Sequence, residues 1–122
     1  MSTPNKPENA DQLLAEIHRE FRDGLPARLE RLRSTLGVLA AGFDKEAAES
    51  FFRTAHSLKG TAPAFGAYEL AQHASALAER GRRWHEGGKL ETPEVTSALR
   101  ELEWLEAAVK RFVAERDGAS PA

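Results

Sequence analysis

Cysteine is missing from the chain altogether. Disulfide staples, thiol nucleophiles and thiolate metal sites are thereby excluded. Long apolar runs are missing too. No stretch approaches the length of a membrane span, and the polar opening, with Pro4 and Pro7, lacks the apolar centre of a signal peptide. The cytoplasm is the expected compartment. Charge of one sign is not in excess: the net charge is −2, which gives no bulk attraction to nucleic acid or to an anionic membrane. Period-two alternation does not persist over any useful length, so no sheet is expected. No glycine-rich loop follows a strand and the phosphate-loop pattern G-x-x-x-x-G-K does not occur, so no nucleotide site and no autonomous kinase activity are expected.

What is present is helical. The 122 residues suit one domain, and 41% hydrophobic with 30% charged residues is a globular balance. Residues 1–9 and 117–122 read as flexible tails around a bundle over 10–116. Asn9 with Gln12 forms a capping box for the first helix. Leu14, Ile17, Phe21, Leu25, Leu29, Leu32, Leu36 and Leu39 then follow at steps of three and four, on one helix face. Gly24 and Pro26 interrupt this helix, and proline removes a backbone donor. The apolar phase continues through them, which favours one bent helix over two.

Gly42 closes that segment and Asp44 caps the next, whose stripe is Ala47, Ala48, Phe51, Ala55 and Leu58. Thr61 to Gly66 reads as a turn. A third helix carries Leu70, Ala74, Leu77, Gly81 and Trp84 in phase and ends at Gly87 and Gly88. Thr92 and Pro93 start the last, as cap and first helical residue, with Val95, Leu99, Leu102, Leu105, Val109 and Phe112 as its stripe. Trp84 and Trp104 are expected in the core. Apolar-striped helices with short connections predict an all-α, antiparallel four-helix bundle.

Four histidines occur. His18, His73 and His85 are scattered, without carboxylates at metal-ligand spacing, and read as surface or boundary residues; no metal site is expected. His56 differs. On a helical wheel it lies about 120° from the centre of the Phe51–Ala55–Leu58 stripe, and so in solvent. Phe52 and Lys59 fall between it and the core, while Arg53 and Gly60 lie on the wet side. Lys59, three residues on, can neutralise an anionic group held on the imidazole. Glycine inside a helix costs roughly 0.5–1 kcal/mol relative to alanine. At Gly60 that cost either clears room for an approaching surface or marks the helix end before Pro63. The arginine clusters Arg28, Arg31, Arg33 and Arg80, Arg82, Arg83 read as solvated faces.

Ala55-His56-Ser57-Leu58-Lys59-Gly60 resembles the alanine–histidine–x–leucine–lysine–glycine core of histidine phosphotransfer domains. The likeness continues through Phe65-Gly66-Ala67, Leu70 and Leu77 to Arg80-Gly81-Arg82. The resemblance implies a phosphorelay carrier, with His56 accepting phosphate from a receiver-domain aspartate, or giving it to one, through Nε2. Lys59 would steady the phosphoryl group, and Phe52, Arg53 and Gly60 would face the receiver. The implied partners are the receiver domains of a hybrid sensor kinase and a response regulator. Magnesium would come with the receiver, so no intrinsic cofactor is implied, and the chain would act as a monomer. Many relatives carry glutamine or glutamate facing the imidazole where this chain has Ala78, so what orients His56 is open. Two other readings share these residues: a docking adaptor that is never phosphorylated, and the N-terminal domain of a larger kinase or regulator.

Overall fold

The structure, a computed structural model, describes residues 6–118, with side chains from Asn9 to Arg116. Four helices follow one another: α1 (Lys6–Ala40), α2 (Lys45–Thr61), α3 (Tyr68–Gly87) and α4 (Thr92–Gly118). A 3-10 turn, Ala62–Phe65, links α2 to α3. Each helix packs on the next and α4 closes back onto α1, giving the antiparallel bundle that the periodicity implies. The described residues include no strand.

Local signals account for most boundaries. Asp44 is extended, and its carboxylate accepts the Ala47 N–H at 2.8 Å, a cap that stabilises α2 by roughly 0.5–2 kcal/mol. Gly88 ends α3 in the left-handed region, φ 71°, with its N–H donating to the Trp84 carbonyl at 2.8 Å. Two expected caps are corrected. The Asn9–Gln12 pair lies inside α1, which starts at Lys6. α4 is capped at Glu91, not Thr92: the Glu94 carboxylate reaches back to the Glu91 N–H at 2.6 Å, and Thr92 is already helical. The expected tails are shortened, since α1 includes residues 6–9 and α4 runs to Gly118; the rest of both lies outside the described residues.

α1 continues through Pro26 as one helix. The proline is on the solvent side, and Leu25 and Leu32 on either side of it are fully buried, so packing on both sides keeps the segment helical. The stripes of α2 and α3 are buried as expected, with Phe51 and Trp84 in ring contact at 5.4 Å. Elsewhere the stripe fails. Leu14 and Ile17 keep the right phase but are exposed, because α1 first becomes buried at Phe21. In α4 the buried positions run Ala98, Leu102, Leu105, Ala108, Val109 and Phe112. Leu99 and Trp104 each sit one residue off that line and are 38% and 51% exposed, so the core place expected for them is corrected.

The segment expected as a plain turn is more ordered. Gly66 takes φ 75° after the 3-10 turn, and its N–H donates to the Pro63 carbonyl at 3.0 Å. Phe65 stacks on Phe21 with centroids 4.3 Å apart, and Phe21 meets the edge of Phe112 at 5.9 Å. Arg116 lies over the Phe112 ring and donates to the Phe65 carbonyl at 3.3 Å. This end of the bundle is therefore tied together by rings from α1, the 3-10 turn and α4.

Candidate functional site

The outward face of α2 carries the residues singled out in the sequence. Phe51, Ala55 and Leu58 are buried, and the same helical geometry turns His56, Arg53, Lys59 and Gly60 into solvent. Phe52 is half-buried at the border of the two faces. One turn along the helix, its ring lies 5.5 Å from the His56 ring, tilted by 37°. Among the described residues no hydrogen bond reaches either nitrogen of His56.

The neighbouring positions divide into those that are free and those that are engaged. Lys59 is exposed, and its charge reaches across to α3, where it helps hold the Glu79 carboxylate below the usual range. The main cause there is the hydrogen bond from Arg82, followed by the charges of Arg82 and Arg83. Glu79 therefore faces Arg82 and does not stand in for a carboxylate partner of His56. Arg53 is paired along its own helix with Glu49 at 2.7 Å, although most of its side chain remains in solvent.

Gly60 sits within α2, one residue before its end, without a left-handed backbone. A methyl group built there would meet nothing within 4 Å. Neither this chain's packing nor its backbone requires glycine at that point. The helix-end explanation is thereby weakened, since the left-handed turn is made at Gly66.

α3 backs the site. Ala78 is buried in the core and offers the imidazole no polar group. Gly81, one turn on, lies directly against the α2 backbone. A Cβ on it would lie 2.9 Å from the Phe52 Cα and 3.0 Å from the Phe51 Cδ1. Another turn along, the His85 ring lies nearly parallel to Phe52, at 14° and 6.4 Å between centroids. Sequence reading placed Gly81 on the apolar stripe, where a glycine signals close approach of two backbones; it gave no sign of the Phe52–His85 pair.

The remaining histidines are boundary residues, as expected, but not unpartnered. His18 meets the edge of Phe65 at 4.9 Å. His73 Nδ1 and a Glu101 carboxylate oxygen are 2.6 Å apart, a pairing across 28 residues that spacing could not disclose. Among the described residues no three histidine or carboxylate side chains are placed to hold a metal ion. No described helix is long and apolar enough to cross a membrane.

The imidazole of His56 is thus exposed on one helix face together with Lys59 and Gly60, with the Phe52 ring beside it. No curated protein and no solved structure matches the chain significantly. The model of the Hpt domain family does match, over residues 9–114. Because that match takes in all four helices and the whole histidine face, the chain belongs to the Hpt domain family, whose members carry out histidine phosphotransfer in two-component phosphorelays.

Proposed function

We propose that His56 is the phosphoryl acceptor, and that the chain relays phosphate between the receiver of a hybrid sensor kinase and that of a response regulator. The observation that carries this reading is the exposure of His56 together with Lys59 and Gly60 on one face of α2, inside the family match. In the transfer step the Nε2 lone pair forms a P–N bond while the P–O bond to the receiver's aspartate breaks. The aspartate leaves with the electron pair as a free carboxylate, and Nδ1 keeps its hydrogen. The reverse step returns the phosphoryl group to a second aspartate. Lys59 offsets the added negative charge, and transfer otherwise depends on positioning and charge stabilisation. Magnesium belongs to the receiver, and this chain works as a cytoplasmic monomer.

Phe52, Arg53 and Gly60 form the contact surface for the receiver. Gly60→Arg is expected to slow transfer from every receiver without loss of helicity, because the added side chain projects into open space on this chain. Unchanged transfer in that variant would remove Gly60 from the contact.

The test of the whole reading is mass spectrometry of the intact chain and its peptides after mixing with magnesium and phosphorylated receiver domains at neutral to alkaline pH. One acid-labile phosphoryl group at His56, lost in His56→Gln, is the expected result. No addition to a folded chain from any receiver would leave a docking module that binds receivers without carrying phosphate.

A further inference from the structure

The proposed phosphotransfer leaves one question about this chain: what holds the imidazole when Ala78 supplies no hydrogen bond. The structure assigns that task to Phe52, acting as a positioning residue for His56; the inference rests on the phosphotransfer reading and deepens it.

Three observations converge. The Phe52 ring is the ring that lies against His56, 5.5 Å away, and the 37° tilt sets an apolar plate beside one side of the imidazole. That plate has its own support, because His85 lies behind it at 6.4 Å and within 14° of parallel. The backbone beneath it is also fixed. Only the missing side chain of Gly81 lets α3 come so near the Phe52 Cα, which leaves the α2 main chain little room to shift. The rings of His85, Phe52 and His56 thus form a column along the α2–α3 seam, half-buried at His85 and Phe52 and ending in solvent at the acceptor.

A hydrogen bond to one nitrogen would fix both the plane of the ring and its tautomer. Packing against a phenyl ring fixes the plane and leaves both nitrogens to water. Phe52 therefore limits the rotamers of His56, so that more encounters with a phosphorylated receiver find Nε2 pointing outward.

The test compares Phe52→Leu, which keeps an apolar side chain without the ring, with Phe52→Tyr, which keeps the ring. Proton and nitrogen NMR of His56 is read in the unphosphorylated chain, and transfer rates are read with a phosphorylated receiver. In the natural chain the His56 ring protons should be displaced upfield by the phenyl ring. Phe52→Leu should return them toward free imidazole and slow transfer about three- to tenfold, and Phe52→Tyr should restore both. Natural resonances and a natural rate in Phe52→Leu would overturn the inference. If Phe52→Leu loses helicity, His85→Leu carries the test. It should move the His56 signals the same way by a smaller amount, and unmoved signals would overturn the inference equally. Failure of the relay reading is seen separately, as a natural chain that accepts no phosphate while its His56 resonances still report the ring.

Discussion

The α2–α3 seam and the α1–α4 seam are built on opposite principles. Between α2 and α3 the backbones nearly touch at Gly81, and Phe51, Trp84 and Phe52 fill the space around the contact. Between α1 and α4, next to Pro26, an apolar groove of about 700 Å³ stays open, lined by Leu29, Ala107, Val109 and Val113. A forked ion pair from Arg33 to Glu106, at 2.7 and 3.0 Å, spans the helices there. The closely packed seam carries the histidine face and the loose one does not. Close packing here serves the placement of a surface residue as well as stability, since whatever shifts α2 against α3 shifts Phe52 and with it His56.

Adding atoms to each seam is the sharpest way to break the contrast. Gly81→Ala should destabilise the bundle by about 1–3 kcal/mol in denaturant unfolding, although alanine is the better helix former, because its methyl meets backbone. Ala107→Leu on the open seam should cost nothing measurable or stabilise slightly. Equal losses in the two variants would show that the seams do not differ. Gly60→Ala should stabilise α2 by about 0.5–1 kcal/mol, since nothing lies within 4 Å of the new methyl. Destabilisation instead would place Gly60 among the residues that the fold needs.

A smaller effect is expected for the Arg33–Glu106 pair. Its side chains are 45% and 31% exposed, so a double-mutant cycle should return only about 0.2–1 kcal/mol, falling with salt. The smallest concerns Glu79. Arg82 holds its carboxylate below the usual range, so its contribution to stability is present above the ordinary carboxylate pKa and fades as the pH falls through the lowered value. Because Glu79 is exposed, Glu79→Gln should alter the acid limb of a pH–stability curve only marginally; a large change would mean that the pair is better shielded than its exposure indicates.

Much of this was legible beforehand, and the places where it was not share a cause. In α2 the apolar stripe, the Asp44 cap and the outward histidine are all legible, because they depend on sequence-local geometry; the buried Thr54 is the position the stripe omits. Leu14 and Ile17 obey the same spacing and stay in solvent, since periodicity reports a phase and not whether another helix is there to cover it. The periodicity puts Leu99 on the α4 stripe, whereas its small neighbour Ala98 is the buried residue. Buried alanines are what allow helices to approach closely, and the stripe follows them. The site divides similarly. His56, Lys59 and Gly60 are neighbours along one helix, whereas Gly81 and His85 gain their meaning from Phe52 on another.

The rings at the far end of α2 bear on how such a domain can be wired. Arg116, near the end of α4, touches the Phe65 carbonyl just beyond α2, and His56 lies five residues before the last residue of that helix. At 1.5 Å of rise per residue that is about 7.5 Å along the axis. A receiver tethered after α4 by a short flexible linker would thus begin its search at the end of the bundle toward which the acceptor lies on α2, at an effective concentration on the order of millimolar. Such a fusion would favour its own receiver over free competitors without any change in the contact surface.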